Sequence, residues 1–330
     1  MFLSTFNNTY GSRCKLLGKG SGFGKVILFG EHFVVYGIPG IVSAVDSTAD
    51  AEVIKNDKII KVHDDRKGSK GYAEKKKFQQ LESIKRMLKK MNLSLENQGL
   101  NIWLGGSLPG FSGLGASAAS SVAIARAIAQ EFHLSFSNQE INDIAYEAEK
   151  AYAGNPSGID NTAATFGGLL WFQKNLKGGP NKIESLSIEK PVEIIIGSTG
   201  IVANTKEMVK GVAKRKTRYP EKYDSIFNQA QILAQEARTA IKNFDLLEVG
   251  SLMDMNHSLL KEIKVSCKEL DYLVDLAKKN GAFGAKLTGG GGGGCMTALT
   301  PGKELQEKVA KKIEKQGFQV LRTKIGVKGI

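Results

Sequence analysis

Apolar and polar positions change rhythm several times along this chain, and each rhythm predicts an element. Residues 26–35 are almost continuously apolar and β-branched, which predicts a strand broken in its middle by Gly30-Glu31-His32. Residues 41–54 alternate, which predicts further strand. A polar loop is expected at 64–71, an exposed basic helix at 74–91 and a short strand at 100–104. Residues 114–132 follow helical spacing, with Ala118, Val122, Ala125 and Ala129 on one buried face. A second helix is expected at 138–153, a turn at Asn155-Pro156-Ser157-Gly158, and a strand at 165–172.

The second half has a different texture. Residues 174–190 are polar and carry Gly178, Gly179 and Pro180, which predicts an interdomain linker. Beyond it the pattern predicts a strand at 192–197 and helices at about 220–243, 246–261 and 268–279. A strand at 284–287, a glycine run, a strand at 295–299, a helix at 302–316 and a strand at 319–324 complete the chain. Strands and helices alternate unevenly, so α+β layers are expected and not a doubly wound sheet. A length of 330 residues is long for one core. The expected division is residues 1–185 and 186–330.

Composition narrows the class. With 42% hydrophobic and 24% charged residues the chain reads as globular. No apolar run reaches the roughly 18 residues that a membrane-spanning helix needs, so no membrane partner is expected. The net charge is +13, and residues 61–90 hold eleven Lys/Arg against four Asp/Glu. That cluster reads as a solvated face. It has too few aromatics for a base-stacking platform and no zinc-finger or RNA-recognition signature, so no nucleic-acid partner is expected. Cys14, Cys267 and Cys295 are odd in number and far apart, which fits a reducing compartment and no zinc site. The expected location is the cytoplasm. A first thirty residues without an acidic group, bearing Arg13, Lys15 and Lys19, faintly resemble an organelle-targeting segment as the alternative.

The candidate chemistry lies in two glycine-rich stretches. Residues 105–119 read Gly-Gly-Ser-Leu-Pro-Gly-Phe-Ser-Gly-Leu-Gly-Ala-Ser-Ala-Ala and run straight into the small-residue helix. Five glycines in eleven positions leave backbone N–H groups free to close around an anion, and the following helix points its positive end there. Tight helix packing is the plainer reading of the same loop. The second stretch is Lys286-Leu287-Thr288 followed by six glycines, Gly289 to Gly294, and Cys295. Such a run is costly to order, and between two strands a flexible linker has no use, so backbone packed closely on something is expected.

Common nucleotide motifs do not account for these loops. Gly18-Lys19-Gly20-Ser21-Gly22-Phe23-Gly24-Lys25 resembles a P-loop at a glance, but Lys19 stands where the first glycine belongs and Val26 where the metal-binding Ser/Thr belongs. The dinucleotide pattern fails there too, and the protein-kinase elements are missing.

Three motifs do match a family. They are Gly24-Lys25-Val26-Ile27-Leu28-Phe29-Gly30-Glu31-His32-Phe33-Val34-Val35-Tyr36-Gly37; Leu108-Pro109-Gly110 through Gly113-Leu114-Gly115-Ala116-Ser117-Ala118-Ala119; and Lys286-Leu287-Thr288-Gly289 through Cys295. With Gly154-Asn155-Pro156-Ser157-Gly158-Ile159-Asp160-Asn161, they make the chain resemble the GHMP small-molecule kinases, and most closely the mevalonate kinase branch. Two positions depart from the family pattern: Ala116 replaces a serine and Gly290 an alanine.

The resemblance implies a two-domain α+β fold, with a ribosomal S5 domain 2-like N-terminal domain, a ferredoxin-like C-terminal domain and the active site between them. It implies transfer of phosphate from ATP, with Mg²⁺, to the C5 hydroxyl of mevalonate in isoprenoid biosynthesis. Asp160 is implied as catalytic base with Lys25 as its cation; on their own these would be a turn aspartate and a strand lysine. Pro109, Gly110, Phe111, Ser112, Gly113, Leu114, Gly115, Ala116, Ser117 and Ala118 are implied to hold the nucleotide. Residues 101–104 are expected near the adenine. Ser117 and Glu149 are implied as metal ligands, and Glu31, His32, Thr205 and Gly291 as substrate neighbours. Thr205 would otherwise be the N-cap of a helix from Lys206. Because the family is often dimeric, a homodimer is compatible with it.

Three alternatives stand beside this reading. One is another kinase of the superfamily, acting on the 3-hydroxyl or on phosphomevalonate. The second is the related diphosphomevalonate decarboxylase, a lyase. A phosphorylated substrate would call for extra cations, yet Lys25 is the one Lys or Arg between positions 20 and 54. The third, nucleic-acid binding, leaves both glycine loops unexplained.

Overall fold

The computed structural model describes residues 17–66, 72–96, 98–109, 113–154, 156–202 and 204–327. The basic N-terminal segment up to residue 16 lies outside the described residues. The first half forms β1 (Gly18–Phe29), β2 (Gly40–Asn56), β3 (Ile60–Asp64), α1 (Tyr72–Lys90), β4 (Gly99–Gly105), α2 (Ala116–Glu131), α3 (Asn138–Ala153), α4 (Ile159–Phe166), β5 (Leu169–Gln173) and β6 (Lys182–Leu186). The second half forms β7 (Val192–Ser198), α5 (Thr205–Arg218), α6 (Pro220–Lys242), α7 (Leu246–Glu262), α8 (Lys268–Lys279), β8 (Gly284–Thr288), β9 (Cys295–Leu299), α9 (Lys303–Glu314) and β10 (Gln319–Ile325).

Two sheets result. The first runs β3-β4-β2-β5-β6, with β1 paired only to β2. The second is antiparallel throughout, in the order β10-β7-β9-β8. Thus β1 and β8 are both edge strands, and their open edges face each other across the domain boundary through Ile27 and Thr288.

The glycines that mimic a P-loop at residues 18–25 have a packing role. A Cβ at Gly18, Gly20 or Gly22 would lie 2.2, 2.3 or 2.2 Å from the carbonyl oxygens of Ala127, Ala123 and Ala119. Every second residue at the start of β1 is therefore bare so that α2 can lie flush on the strand. The alanines of α2 make the same approach from the other side, and they are buried around nearly the whole helix. The one-face stripe expected for this helix is too narrow, since it is covered by β1 and β2 on one side and by α3 and α4 on others. The α1 helix is likewise less exposed than its charge suggests: Ile84, Met87 and Leu88 are buried.

The structure corrects the expected linker. Residues 182–186 of that polar stretch form β6, paired with β5 in register Trp171 with Glu184. The chain passes from one sheet to the other over residues 187–191. The strand expected at 165–172 begins only at Leu169. Before it, the eight-residue helix α4 ends at Gly167, which with Gly168 takes positive φ. No helix among the described residues is long and apolar enough to cross a membrane.

Candidate active site

Lys25 comes from β1, next to a register shift between Phe23 and Lys25. Its side chain is 2% exposed, and its Nζ lies 3.0 Å from Oδ1 of Asp160, which is 36% exposed. Asp160 stands in the first turn of α4, not in a segment leading to a strand as expected from the turn before it. The helix holds the carboxylate at the boundary between protein and solvent while the lysine reaches it from inside. Gly115 makes room for that reach: a Cβ there would fall 2.8 Å from Lys25 Cγ, and its φ is +66°. The backbone N–H of Lys25 donates to the Leu114 carbonyl at 3.0 Å, which ties the strand to the phosphate loop.

Gly115 is also the N-cap of α2, with no side-chain cap. The first N–H groups of this buried helix face the loop end, as an anion site requires. Two residues into α2, the Ser117 hydroxyl donates to Oε2 of Glu149, 3.2 Å away on α3. The Glu149 carboxylate is 5% exposed. A hydroxyl and a carboxylate beside a helix N-terminus suit a hard cation that keeps waters and phosphate oxygens as its other ligands. Pro109, Gly113, Leu114, Ala116 and Ala118 fall on the same loop and helix start, whereas Gly110, Phe111 and Ser112 lie outside the described residues.

The Gly30-Glu31-His32 break in the first apolar run is a tight turn with φ of +103° at Gly30 and +62° at His32. His32 Nε2 lies 2.9 Å from the carbonyl oxygen of Gly290. A carbonyl only accepts, so Nε2 carries the proton and the ring is the neutral Nε2–H tautomer. Burial is the main reason its pKa is pushed down to about 4; the Arg215 charge adds to this and the Gly290 bond opposes it. Its Nδ1 is buried with no hydrogen-bond partner among the described residues. Glu31, expected beside the substrate, is instead inside the domain boundary. Its carboxylate pairs with Lys286 Nζ, both side chains fully buried, and accepts from Asn256 Nδ2 at 3.1 Å.

The six-glycine run lies between β8 and β9 and meets a different neighbour at nearly every residue. A Cβ on Gly289 would fall 2.9 Å from Gly113 Cα, on Gly290 2.6 Å from Thr205 Oγ1, and on Gly291 2.0 Å from the Val265 carbonyl oxygen. Gly289, not Gly291, therefore meets the phosphate loop, and Gly291 turns away to pack on Val265. Thr205 is the first residue of α5 and not its cap; Asn204 caps the helix by accepting from the Glu207 N–H at 3.3 Å.

Chain comparison places this geometry. The GHMP kinases N terminal domain matches residues 81–168, and the GHMP kinases C terminal domain matches residues 237–319. A mevalonate kinase from Thermococcus sibiricus is 36% identical over 326 residues, covering 93% of this chain and 95% of its own. The chain belongs to the mevalonate kinase family. The Pyrococcus furiosus mevalonate kinase is also 36% identical, over 327 residues, with the same coverage. The crystal structure of L. major mevalonate kinase in complex with R-mevalonate superposes with a TM-score of 0.88 at 34% identity, covering 93% of this chain and 95% of that one. A Lactococcus lactis galactokinase, at 18% identity and a TM-score of 0.73, shares the fold.

Set against the family motifs, the structure brings Lys25 to Asp160, Ser117 to Glu149, and His32 and Thr205 to Gly290. Sequence reading missed Lys286, Asn256 and Arg215 as neighbours of the first motif. A lysine inside a short strand and an arginine in a basic helix look like surface charges. The available signal was that Lys286 interrupts the otherwise apolar run from Ala285 to Leu287.

Proposed function

We propose that this chain transfers the γ-phosphoryl group of ATP to the C5 hydroxyl of mevalonate, giving 5-phosphomevalonate. Family membership supports the reaction, and the observation that carries the chemistry is the Lys25–Asp160 pair at 3.0 Å. Phosphoryl transfer needs positioning, charge neutralisation and an acceptor for the alcohol proton. Asp160, open to the cleft on one side, accepts that proton. Lys25 keeps the carboxylate ionised and draws the alcohol oxygen toward its reactive form. Gly113, Leu114, Gly115 and Ala116 offer backbone N–H groups to the phosphates, with Pro109, Gly110, Phe111, Ser112 and Ala118 completing the nucleotide loop.

The Ser117–Glu149 pair fits Mg²⁺: two oxygen donors of the preferred type, within reach of one ion and beside the phosphate loop. When bound, the ion neutralises phosphate charge. His32, neutral with a lone pair on Nδ1, accepts a hydrogen bond from a substrate hydroxyl and cannot receive a carboxylate in that way. The charge of Arg215, which adds to the lowering at His32, is the one we assign to the single carboxylate of mevalonate. A substrate carrying an additional phosphate calls for more. The same reading moves the expected division from 185/186 to the 187–191 crossing, because β6 belongs to the first sheet. It keeps the cytoplasmic location that cysteine usage suggests, and the family resemblance is compatible with a homodimer.

The test is ADP release from ATP and Mg²⁺, with and without mevalonate, by the wild type and Asp160→Asn. Mevalonate-dependent turnover that drops by about 10²-fold or more in the variant is expected, with ³¹P NMR placing the phosphate on C5. Turnover that ignores mevalonate would remove the substrate assignment.

A further inference from the structure

Lys286 lies in β8 of the second sheet, yet its side chain crosses into the first domain. It is wholly buried. Its ammonium pairs with Glu31 and donates to the carbonyl oxygens of Leu287 at 2.7 Å and Ile27 at 3.3 Å. Three N–H groups meet three acceptors, so none remains for a phosphate or an alcohol. Two residues on, on the same face of the strand, the Thr288 hydroxyl accepts from the Ile27 N–H and donates to the Ile27 carbonyl, both at 3.2 Å. The other oxygen of Glu31 is taken by Asn256 from α7. One short segment, 286–290, therefore grips the first motif at three successive points: Ile27, Glu31 and, through the Gly290 carbonyl, His32.

The turn that is gripped is one a chain does not adopt freely, since His32 has positive φ without being glycine. Phe33, edge-on to Phe227 at a centroid distance of 5.2 Å, anchors its far side in the core. We propose that Lys286, through its ion pair with Glu31, is a positioning residue that fixes the His32 ring across the domain boundary and so sets affinity for the alcohol without touching it. This rests on the phosphoryl-transfer reading above. It reassigns Glu31 from substrate ligand to counter-ion. A buried ion pair is a poor stability device, because desolvation offsets the attraction, whereas leaving one partner alone is strongly destabilising. Retaining it here points to geometry as its use.

Two variants separate these roles. Glu31→Gln keeps the side-chain shape and an acceptor for Lys286 but strands the ammonium. It is expected to lower the thermal midpoint most, while raising KM for mevalonate less than the double variant does, because the hydrogen bond to Lys286 persists. The double variant Glu31→Gln with Lys286→Met removes both charges and the long-range bond. It is expected to recover the midpoint yet raise KM for mevalonate by about 10- to 100-fold, the scale of a misplacement near 1 Å. The dissociation constant for ATP should stay within about twofold in both. Ring ¹⁵N shifts give a readout that needs no substrate: His32 keeps a single Nε2–H tautomer in the wild type and Glu31→Gln and averages in the double variant. A KM and a ring signal that simply follow the thermal midpoint would show the pair to be structural and overturn the proposal. Loss of mevalonate turnover in the wild type would instead fail the proposed function, and the ring signal would still decide this one.

Discussion

His32 and His257 are both buried neutral, and this makes acid a specific threat. Burial is the first cause that lowers each to about 4; at His257 the Lys286 and Lys261 charges add to it while Asp271 opposes it. An unfolded histidine titrates near 6.5. Between those values the unfolded chain binds more protons than the folded one, so stability is full above pH 6.5 and is lost as pH falls toward 4. Each histidine accounts for up to about 3 kcal/mol. Urea unfolding measured from pH 6.5 down to 5, above the ordinary carboxylate range, should fall with a slope approaching two protons, and His257→Gln should bring it near one. At this scale the candidate reacting groups were legible in the sequence. Lys25, Asp160 and Ser117 stand in the family motifs and Glu149 was implied by the family resemblance; the structure brings them together as two pairs. The pairing of Lys286 with Glu31 was not legible, although both stand in those motifs, because 255 positions separate them.

Among the elements, the pairing of β1 with α2 shows how a local pattern can name the wrong thing. Alternate glycines at 18, 20 and 22 suggest a phosphate loop, and the structure uses them to admit a helix backbone. Gly20 has no positive φ, so a substitution there meets only a steric barrier, set by Ala123, Ala127 and Arg126 of α2. Gly20→Ala is therefore expected to destabilise by about 1–3 kcal/mol through overpacking, read from a urea midpoint, with KM for ATP little changed because the strand end at Lys25 stays in place. The long elements were readable from periodicity, as with α3, whose Ser137–Glu140 capping box marks its start. The elements missed at first reading were α4, β3 and β6, and α5 was raised only as the alternative role of Thr205. Two are strands of five residues and one is a helix of eight, too short for a period to declare itself. The fourth, α5, is a mostly exposed and strongly basic helix with little apolar stripe to show.

At the scale of the whole molecule, the two sheets are joined by more than the chain between them. Thr323 bonds to Asp46, the Gly326 N–H donates to Ser43 at 2.9 Å, the Gly168 N–H to Val327 at 3.0 Å, and Arg238 pairs with Glu184 at 2.5 Å. Together with the buried Lys286–Glu31 pair, these leave neither half able to open without stranding polar groups of the other. Calorimetry should show one unfolding transition whose van't Hoff and calorimetric enthalpies agree, and ATP with Mg²⁺ at about 100 times its dissociation constant should stabilise it by about 2.7 kcal/mol. The six-glycine run also constrains its own length. A flexible linker would absorb a change in the length of such a run. Here Thr288 and Cys295 are paired across the base of the run, so its length is fixed at both ends. Gly289 to Gly293 inside it answer to Gly113, Thr205, Val265, Met208 and Ile201 in turn. A seventh glycine, chemically the mildest insertion available, would slide every later residue onto its predecessor's neighbour. The length of the run is set by the geometry around it, although it carries no side chain.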